Sequence, residues 1–425
     1  MPGRLPLPRR ELHGLIAAIA LGVLLRVGYV LINRHQGLAG DQVEYDVDAR
    51  LFAAGHPFWS TFPYGIAHAS AIKAPGYVLW TGLLYTLLGA HHVRVELAQA
   101  VLCGPSTIAL TFVLGRRLFG PRVALAAAVL VAVYPLAWQY EVRLYSESLA
   151  TPLTLAVLIV FLERQPSPRR AAGTGALIGV LMLVRPTSGC VLAGVAAAWW
   201  LRAGLRRAVV LTALSVAVAA LVISPWTIRN AIVEHGFVPI SLQDAAAYGT
   251  FNSTSAHDPV WPYAWRPLPP EAVNLFNRSH PRTELQLRAA ADHLAFVYVK
   301  AHPFSIAEAF FWNGLSRLWD VRRPARALTE VKFEGRSRFL TIAGLAMYYV
   351  LAPLALLALW RLRRRRDLVY PLIAIALGSS VVFTVDSGTR YRAPLEPMIA
   401  LLACAAVLDV ARRVYASAIQ SLRGS

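Results

Sequence analysis

Residues 12–32 read LHGLIAAIALGVLLRVGYVLI, an apolar run with a single charged side chain, Arg26. A helix of about 20 apolar residues, rising 1.5 Å per residue, crosses the hydrocarbon core of a bilayer. The basic start MPGRLPLPRRE precedes a run longer than the apolar part of a secretory signal, and no small-residue cleavage site follows it. This stretch therefore predicts a first membrane span that is retained.

The composition extends this prediction to the whole chain. Of the 425 residues, 56% are hydrophobic and only 15% are charged, and the mean hydropathy is +0.49. A soluble core of ordinary proportions cannot hide so much apolar surface. Cys103, Cys190 and Cys404 each lie in an apolar run without metal or disulfide spacing, which is typical of small buried side chains. We expect an all-α, polytopic transmembrane helical bundle.

The net charge of +19 would suggest nucleic acid as a partner of a soluble protein, but here the arginines form short tracts between apolar runs. Membrane topology explains the tracts better, and we expect no nucleic-acid partner. The positive-inside rule places RLPLPRR, RRLFGPR, ERQPSPRR, RAGLRR, RLRRRR and ARR on the cytoplasmic side. This orientation requires about ten spans, at residues 12–32, 93–115, 123–139, 145–162, 171–184, 188–201, 208–224, 339–360, 368–385 and 393–411.

Two apolar stretches are interpreted so that this orientation holds. Residues 74–89 are short and contain Pro75 and Gly76, so we place them in the membrane interface as an amphipathic or re-entrant helix. Residues 171–201 contain an Arg185-Pro186 break and are interpreted as two short helices. Helices of about 21 Å do not reach across a core of roughly 30 Å, so Arg185 should lie below the outer surface, in a wet cavity or against an anion.

The same topology divides the chain into three parts. Residues 1–224 form an N-terminal transmembrane core with a catalytic first outer loop, 33–92. Residues 225–338 form a large extracytoplasmic loop, and residues 339–425 contain the C-terminal spans. An interfacial helix is expected in the large loop because five apolar residues share one helical face there: Phe304, Ala307, Phe311, Leu315 and Leu318.

Charged side chains near the outer ends of the spans are the candidates for chemistry. The carboxylates are Asp41, Glu44, Asp46, Asp48 and Glu147, and the cations are Lys73, Arg143, Arg185, Arg229, Arg390 and Arg392. Arginines beside carboxylates suit the binding of an anionic group and the deprotonation of a hydroxyl next to it. The alternatives are solvated surface for the acids, helix capping for Glu147, and snorkelling to outer-leaflet phosphates for the arginines. The RLRRRR tract is interpreted as a topology anchor that binds anionic lipid only weakly.

The order of several short motifs resembles the GT-C superfamily of integral-membrane glycosyltransferases, in particular bacterial relatives of the lipid A aminoarabinose transferases and protein O-mannosyltransferases. The motifs run through most of the chain, as GDQVEY, ARLFAAGHPF, KAPGY, LLG, GRRLFGPR, YP, LYSESL, LVRP, PWTIRN and RYRAP. Each motif is short and weakly specific by itself. Their order and topology together carry the resemblance.

The resemblance implies that a sugar is moved from a polyprenyl-phosphate donor to an acceptor on the outer face, with a carboxylate of the first outer loop as base. Asp41 matches the acidic residue at the end of the first span, and Lys73 matches the basic residue before the interfacial helix. Arg185, Arg229, Arg390 and Arg392 match recurrent basic positions. Some relatives have an adjacent Asp-Glu pair where this chain has Asp41-Gln42, with Glu44 further on.

From these considerations we predict an inverting, metal-independent transferase without a cofactor, in the bacterial inner (plasma) membrane with an extracytoplasmic active site. Asp41 and Glu44 are its catalytic candidates, whereas Lys73, Glu147, Arg185, Arg229, Arg390 and Arg392 are its substrate-binding candidates. Its partners are the donor, the membrane, and a glycan, lipid or protein hydroxyl. Asp46 and Asp48 are expected to be solvated neighbours.

A flippase or channel for lipid-linked saccharides is the alternative, and a non-catalytic assembly factor is a third interpretation. We expect the spans to carry almost no buried charge apart from Arg26 and Arg185, which disfavours transport.

Overall fold

The computed structural model describes residues 8–162, 165–243, 247–266 and 283–423, with the backbone alone for 412–423. The described residues are mostly helical, which confirms the all-α expectation. Two short strands, β1 (Trp59–Ser60) and β2 (His68–Ala69), form an antiparallel pair. The α-helices are α1 Arg9–Ile32, α2 Asp41–Ala53, α3 Pro75–Leu88, α4 His92–Phe119, α5 Pro121–Val133, α6 Pro135–Trp138, α7 Glu147–Phe161, α8 Pro168–Val184, α9 Val191–Ala203, α10 Leu205–Glu234, α11 Ser253–Ala256, α12 Glu284–Ala301, α13 Ser305–Ala309, α14 Pro324–Thr329, α15 Arg338–Arg361, α16 Arg366–Val382 and α17 Glu396–Arg423.

The predicted spans coincide with helices. Within the described residues, five helical stretches are long and apolar enough to cross a membrane: α1, α4, α10, α15 and Thr389–Ala411. The other predicted spans fall on the shorter helices α5, α7, α8, α9 and α16. These shorter helices pack against long ones or one another, as α8 and α9 do on α10. The chain is a multi-pass membrane protein with a helical bundle fold.

The arginine tracts meet at one end of the bundle, as the topology requires. Contacts of their side chains join the ends of helices that the sequence assigned to the same side of the membrane. These contacts are Arg116 to the Glu11 carboxylate at 2.9 Å, Arg365 to the Leu118 carbonyl at 3.1 Å, Arg202 to the Phe161 carbonyl at 2.9 Å and Arg207 to the Pro166 carbonyl at 3.4 Å. We call this the arginine end of the bundle.

Helix α8 ends at the predicted position, before the Arg185-Pro186 pair. Pro186 has no amide hydrogen and disfavours helical geometry in the preceding residue, so α8 ends at Val184 and Arg185 is extended. A tight 3-10 turn, Pro186–Cys190, then leads into α9. Because Arg202 at the end of α9 returns to the arginine end, α8 and α9 form the expected hairpin and Arg185 lies at its opposite end.

Buried ion pairs hold the segment between α5 and α7. Arg26 of α1 donates to Glu141 at 2.9 and 3.1 Å, and Thr107 of α4 donates to the same carboxylate at 2.5 Å. Both members of the ion pair are fully buried.

The expectation that the spans carry almost no buried charge besides Arg26 and Arg185 is wrong, because Glu96, Glu147 and Glu396 are also buried within predicted spans. Each has an arginine partner, which compensates for its desolvation.

The first outer loop folds into two helices packed on each other, α2 and α3. Gly40, immediately before α2, has φ of +56°, and a side chain there would meet the Phe333 carbonyl oxygen at 2.8 Å. Only glycine fits both the left-handed backbone and this close approach. The tight entry starts α2 at Asp41, so Glu44 follows one turn later on the same face.

The large loop, 225–338, begins inside α10, which continues to Glu234, and residues 244–246 and 267–282 of this loop lie outside the described part. A helix is present where the interfacial helix is expected, as α13, and it continues as a π-helical stretch, Phe310–Arg317. Phe304, Phe311 and Leu315 are exposed, whereas Leu318 is fully buried. The π-helical stretch has more residues per turn than an α-helix, which removes Leu318 from the predicted apolar face.

Candidate functional site

A cavity of about 160 Å³ opens at the end of the bundle opposite the arginine end. It is surrounded by the first residues of α2 and α7, by the segments that follow α8 and α16, and by the turn Thr389–Leu395. Most of the predicted site residues come together in its lining: Asp41, Glu44, Lys73, Glu147, Arg185 and Arg390. We call it the polar cavity.

Ion pairs link four of these side chains into one row. Arg390 contacts Asp41 through Nη2 at 2.8 Å and Glu147 through Nε at 3.1 Å. Glu147 also binds the Arg185 guanidinium. Two guanidinium groups thus share one buried carboxylate, while Asp41 is at the accessible end of the row with about 35% of its side chain exposed. An anion entering the cavity can compete with carboxylates for both arginines.

The cations control the charge of Asp41. Burial favours the neutral carboxyl, but Arg390, Lys73 and Arg185 outweigh this and lower the pKa of Asp41 to about 2. Asp41 is therefore ionised at neutral pH. A carboxylate with this pKa accepts protons poorly, so its basicity depends on whether Arg390 remains bound to it.

Lys73 approaches the cavity from the loop before α3. Its Nζ lies 2.6 Å from the Glu44 carboxylate and 4.6 Å from the centre of the Tyr45 ring. Burial opposes the charged amine, but Glu44 and Asp41 raise its pKa above the ordinary value. Lys73 is thus a permanent cation with restricted motion, held close to a second carboxylate.

Aromatic rings lie close to both guanidinium groups. The carbon Cζ of Arg185 and that of Arg390 each lie 4.9 Å from the centre of the Tyr391 ring, and Arg390 also lies 4.6 Å from that of Tyr145. A tyrosine ring close to a guanidinium group stabilises its charge by a cation–π interaction and restricts its motion, and the N–H groups can still bind an oxyanion. The arrangement suits a phosphate group beside a carboxylate.

Two predicted substrate-binding arginines do not line the polar cavity. Arg229 of α10 donates to the carbonyl oxygens of Ser70 at 2.5 Å and Phe58 at 3.1 Å, so it holds the first outer loop. Arg392 is fully buried and binds Asp320 at 3.1 Å and Glu396 at 2.7 Å. The structure gives both residues partners within the protein, which stabilise the surroundings of the cavity.

The remaining two carboxylates of α2 differ from each other. Asp46 is partly exposed and binds Arg50 at 2.8 Å, one turn along the helix surface. Asp48 is only 2% exposed, so the expectation that it is a solvated neighbour is wrong. Burial raises its pKa to about 7, against the opposing effect of Lys73. Seven residues are about two turns of a helix, so Asp48 lies on the same inward face of α2 as Asp41.

Further residues that were not selected from the sequence also line the cavity, among them Tyr145, Asp386 and Tyr391. The Tyr391 hydroxyl donates to the Asp386 carboxylate and accepts a hydrogen bond from Arg390 Nη2 at 3.3 Å. Both tyrosines lie within motifs that carried the resemblance, LYSESL and RYRAP, so the motifs contained a usable signal. Asp386 directly follows a predicted span and had no comparable signal.

Gln42 explains why the chain has Asp-Gln where some relatives have Asp-Glu. Its amide nitrogen donates to the Glu334 carbonyl at 2.9 Å and to the Tyr145 hydroxyl at 3.0 Å, and the side chain is fully buried. An ionised glutamate cannot donate these hydrogen bonds. Gln42 therefore joins α2 to the large loop, and the second carboxylate of the cavity comes from Glu44.

In the described part of the chain, no three side chains of His, Cys, Asp or Glu meet in a way that could hold a metal ion. The metal-independent reaction remains a prediction.

An apolar groove of about 460 Å³ lies beyond the turn Thr389–Leu395 from the polar cavity. Its lining comes from α7, α15, α16 and α17, and includes Leu158, Ala352, Ile375, Ala376 and Met398. Trp319, Asp320 and Tyr349 lie at its polar end. Leu395 lines the groove and Arg390 lines the cavity, so a single short turn separates the two.

The arrangement of helices is similar to that of a solved archaeal oligosaccharyltransferase, in agreement with the resemblance seen in the sequence. Residues 72–228 match the model of the family described as dolichyl-phosphate-mannose-protein mannosyltransferase. No curated protein sequence matches the chain.

A solved structure supports the fold at low sequence identity. The archaeal oligosaccharyltransferase AglB from Archaeoglobus fulgidus, in complex with an inhibitory peptide and a dolichol-phosphate, is 16% identical with a TM-score of 0.55 over 97% of this chain and 52% of its own. The present chain thus spans about half the length of AglB. ArnT from Cupriavidus metallidurans bound to undecaprenyl phosphate is 17% identical with a TM-score of 0.42, over 93% of this chain and 77% of its own.

Proposed function

We propose that the protein is a glycosyltransferase that moves a sugar from a polyprenyl-phosphate donor to an acceptor hydroxyl on the extracytoplasmic side of the bacterial inner (plasma) membrane. The observation that carries the proposal is the row Asp41, Arg390, Glu147 and Arg185 in one cavity, which combines a carboxylate with two arginines. The cavity lies at the end of the bundle that the positive-inside rule assigns to the outside.

The donor phosphate is the group that the cations would bind. In the AglB complex the bound lipid is a dolichol-phosphate, and a polyprenyl phosphate is the corresponding ligand proposed for this chain. Arg185 and Arg390 would bind its oxygens, and Lys73 would approach from the α3 side. These cations would stabilise the charge that develops as the phosphate leaves, without a metal or another cofactor.

The reaction would be a direct displacement. The acceptor oxygen forms a bond to the anomeric carbon, the bond from that carbon to the phosphate oxygen breaks, and its electron pair leaves with the phosphate. Asp41 takes the hydroxyl proton as the new bond forms. Attack from the side opposite the leaving group inverts the anomeric centre.

Donor binding would itself activate Asp41. A phosphate that takes Arg390 away from Asp41 removes the main favourable charge that lowers the pKa of this carboxyl, and it adds negative charge nearby. Both effects raise the basicity of Asp41 only when a donor is present. Glu44, held by Lys73, would orient the acceptor or Asp41.

The apolar groove would hold part of the isoprenoid chain. Its polar end and the cavity are separated only by the turn Thr389–Leu395, and its walls are aliphatic and aromatic. The division into a core, 1–224, a large outer loop, 225–338, and C-terminal spans, 339–425, fits this scheme. The core would supply most of the cavity, the C-terminal spans the groove, and the large loop the acceptor contacts.

The direct test is turnover by purified protein. In detergent, with a polyprenyl-phosphate sugar and a panel of hydroxyl acceptors, we expect release of free polyprenyl phosphate together with a glycosylated acceptor. A flippase reconstituted in vesicles would instead move the intact donor across the bilayer. Movement of intact donor without release of polyprenyl phosphate for any acceptor would overturn the proposal.

The groove gives a second test, based on chain length. Ala352→Trp and Ala376→Trp each place an indole in the groove, and Leu377→Trp is the matched control because Leu377 is exposed on the same helix as Ala376. We expect the two groove variants to show a several-fold higher KM for a long-chain donor and an unchanged KM for a short-chain analogue. The control should match the parent with both donors. Equal effects on the KM of the long-chain and the short-chain donor would show that the isoprenoid chain does not bind in the groove.

A further inference from the structure

A second cleft, of about 290 Å³, lies at the arginine end, far from the polar cavity. It is formed where the ends of α4, α15 and the start of α5 meet α17. Its walls are apolar and its mouth is charged. The apolar lining includes Leu118, Phe119, Ala405 and Leu408.

Among the residues whose side chains the structure describes, two arginines line the mouth of this cleft. Arg361, half-buried, binds the Asp409 carboxylate at 2.7 Å, and Arg365, exposed, donates to the Leu118 carbonyl at 3.1 Å. Both side chains are thus drawn to the cleft by contacts within the protein. Arg363 and Arg364 belong to the same tract, but they do not line the cleft.

We infer that this cleft binds one anionic phospholipid of the leaflet at the arginine end. Arg361 and Arg365 would bind the phosphate, and part of an acyl chain would lie between the apolar walls. An apolar cleft with basic residues at the level of the head groups is complementary to a lipid phosphate with its chain, whereas a small soluble anion would leave the walls uncovered. Asp409 would lose part of its pairing with Arg361 to the phosphate.

This site differs from general attraction of a basic tract to a charged surface. In general attraction, each arginine contributes through its charge alone, regardless of where it points. In a built site, the two arginines at the cleft contribute more than their two neighbours, and the shape of the apolar walls matters. The inference does not depend on the proposed transferase activity, because the cleft is remote from the polar cavity.

The experiment compares two double variants with the same change in charge. The purified full-length chain is delipidated in detergent, titrated with phosphatidylglycerol or with phosphatidylcholine, and analysed by native mass spectrometry. We expect a saturable phosphatidylglycerol adduct of one lipid per chain. Its apparent affinity should fall about tenfold or more in Arg361→Gln/Arg365→Gln, but change little in Arg363→Gln/Arg364→Gln.

Two single variants test the rest of the site. Ala405→Trp fills the cleft without a change in charge and should also weaken the adduct, whereas Asp409→Asn removes the competing carboxylate and should strengthen it. Thermal melting identifies any variant that does not fold. If the other variants do not fold, Asp409→Asn still tests the site, because it retains both arginines. Equal losses in the two double variants, equal binding of the two lipids, or weaker binding by Asp409→Asn would overturn the inference.

Discussion

Asp41→Asn is expected to lower turnover by a factor of about 10² to 10⁴, the usual contribution of a general base, while donor binding and folding persist. The amide keeps the shape of the carboxylate but cannot accept the proton. Loss of the pairing with Arg390 at 2.8 Å leaves this guanidinium available for the donor phosphate, so the KM for the donor should not rise. Turnover is measured as release of polyprenyl phosphate, and folding by thermal melting.

Asp46→Asn is the matched control, since Asp46 lies on the same helix and is absent from the cavity lining. It should retain nearly full turnover. Asp48→Asn is a poor control because Asp48 is buried beside Lys73 and its pKa is raised to about 7 by burial. If Asp41→Asn is active while Glu44→Gln or Glu147→Gln is inactive, the base is another carboxylate of the cavity. If all three retain turnover, the glycosyltransferase proposal fails.

The pH dependence gives a separate prediction for Asp41. A base must be deprotonated, so activity falls as the pH drops through its pKa. The dependence of kcat/KM reports the free enzyme, where the pKa of Asp41 is about 2, whereas kcat reports the donor complex. We expect Asp41 to cause no acid limb in kcat/KM near neutral pH, but an acid limb in kcat at a higher pH. An identical acid limb in both profiles would contradict activation by the donor.

Glu141→Leu is expected to destabilise the fold by about 3–5 kcal/mol, because it leaves the buried Arg26 without its counter-charge. At most 1% of the side chain of Arg26 or Glu141 is exposed, and Thr107 also loses its hydrogen-bond acceptor in the variant. Thermal melting in detergent measures the loss. The double variant Arg26→Met/Glu141→Leu should recover much of it, since replacing both charges removes the uncompensated one.

Arg116→Gln is the control for this pair. Arg116 and Glu11 also join two helices at 2.9 Å, but 40% of the arginine side chain is exposed. Removal of an exposed pair costs about 0–1 kcal/mol. If Glu141→Leu melts no lower than Arg116→Gln, the ion pair inside the bundle does not hold the segment between α5 and α7.

The membrane spans, and the gathering of the arginine tracts at one end of the bundle, were predictable from the sequence because a bilayer acts on each segment locally. Residues 12–32 are apolar over the full length of a span, and α1 contains all of them. The Arg185-Pro186 break is equally local, because proline acts on its own residue and the one before it. Asp41 and Glu44 share a face because the first residues of a helix set that face.

The pairing of charges was decided only by the tertiary structure. Arg26 and Glu141 are 115 positions apart, and Arg390 and Asp41 are 349 positions apart. No local rule says which carboxylate an arginine will meet. This is why Arg229 and Arg392 were selected although they bind other parts of the protein, and why Asp386 was not selected although it lines the cavity.

The sequence by itself thus determined a polytopic helical bundle, the gathering of its arginine tracts at one end of that bundle, and the stretch at which the first outer loop starts a helix. Only the tertiary structure decided which charged side chains face the cavity and which are buried against one another. The physical reason is that insertion into a bilayer depends on the hydropathy of each segment, whereas pairing of charges depends on how distant segments pack.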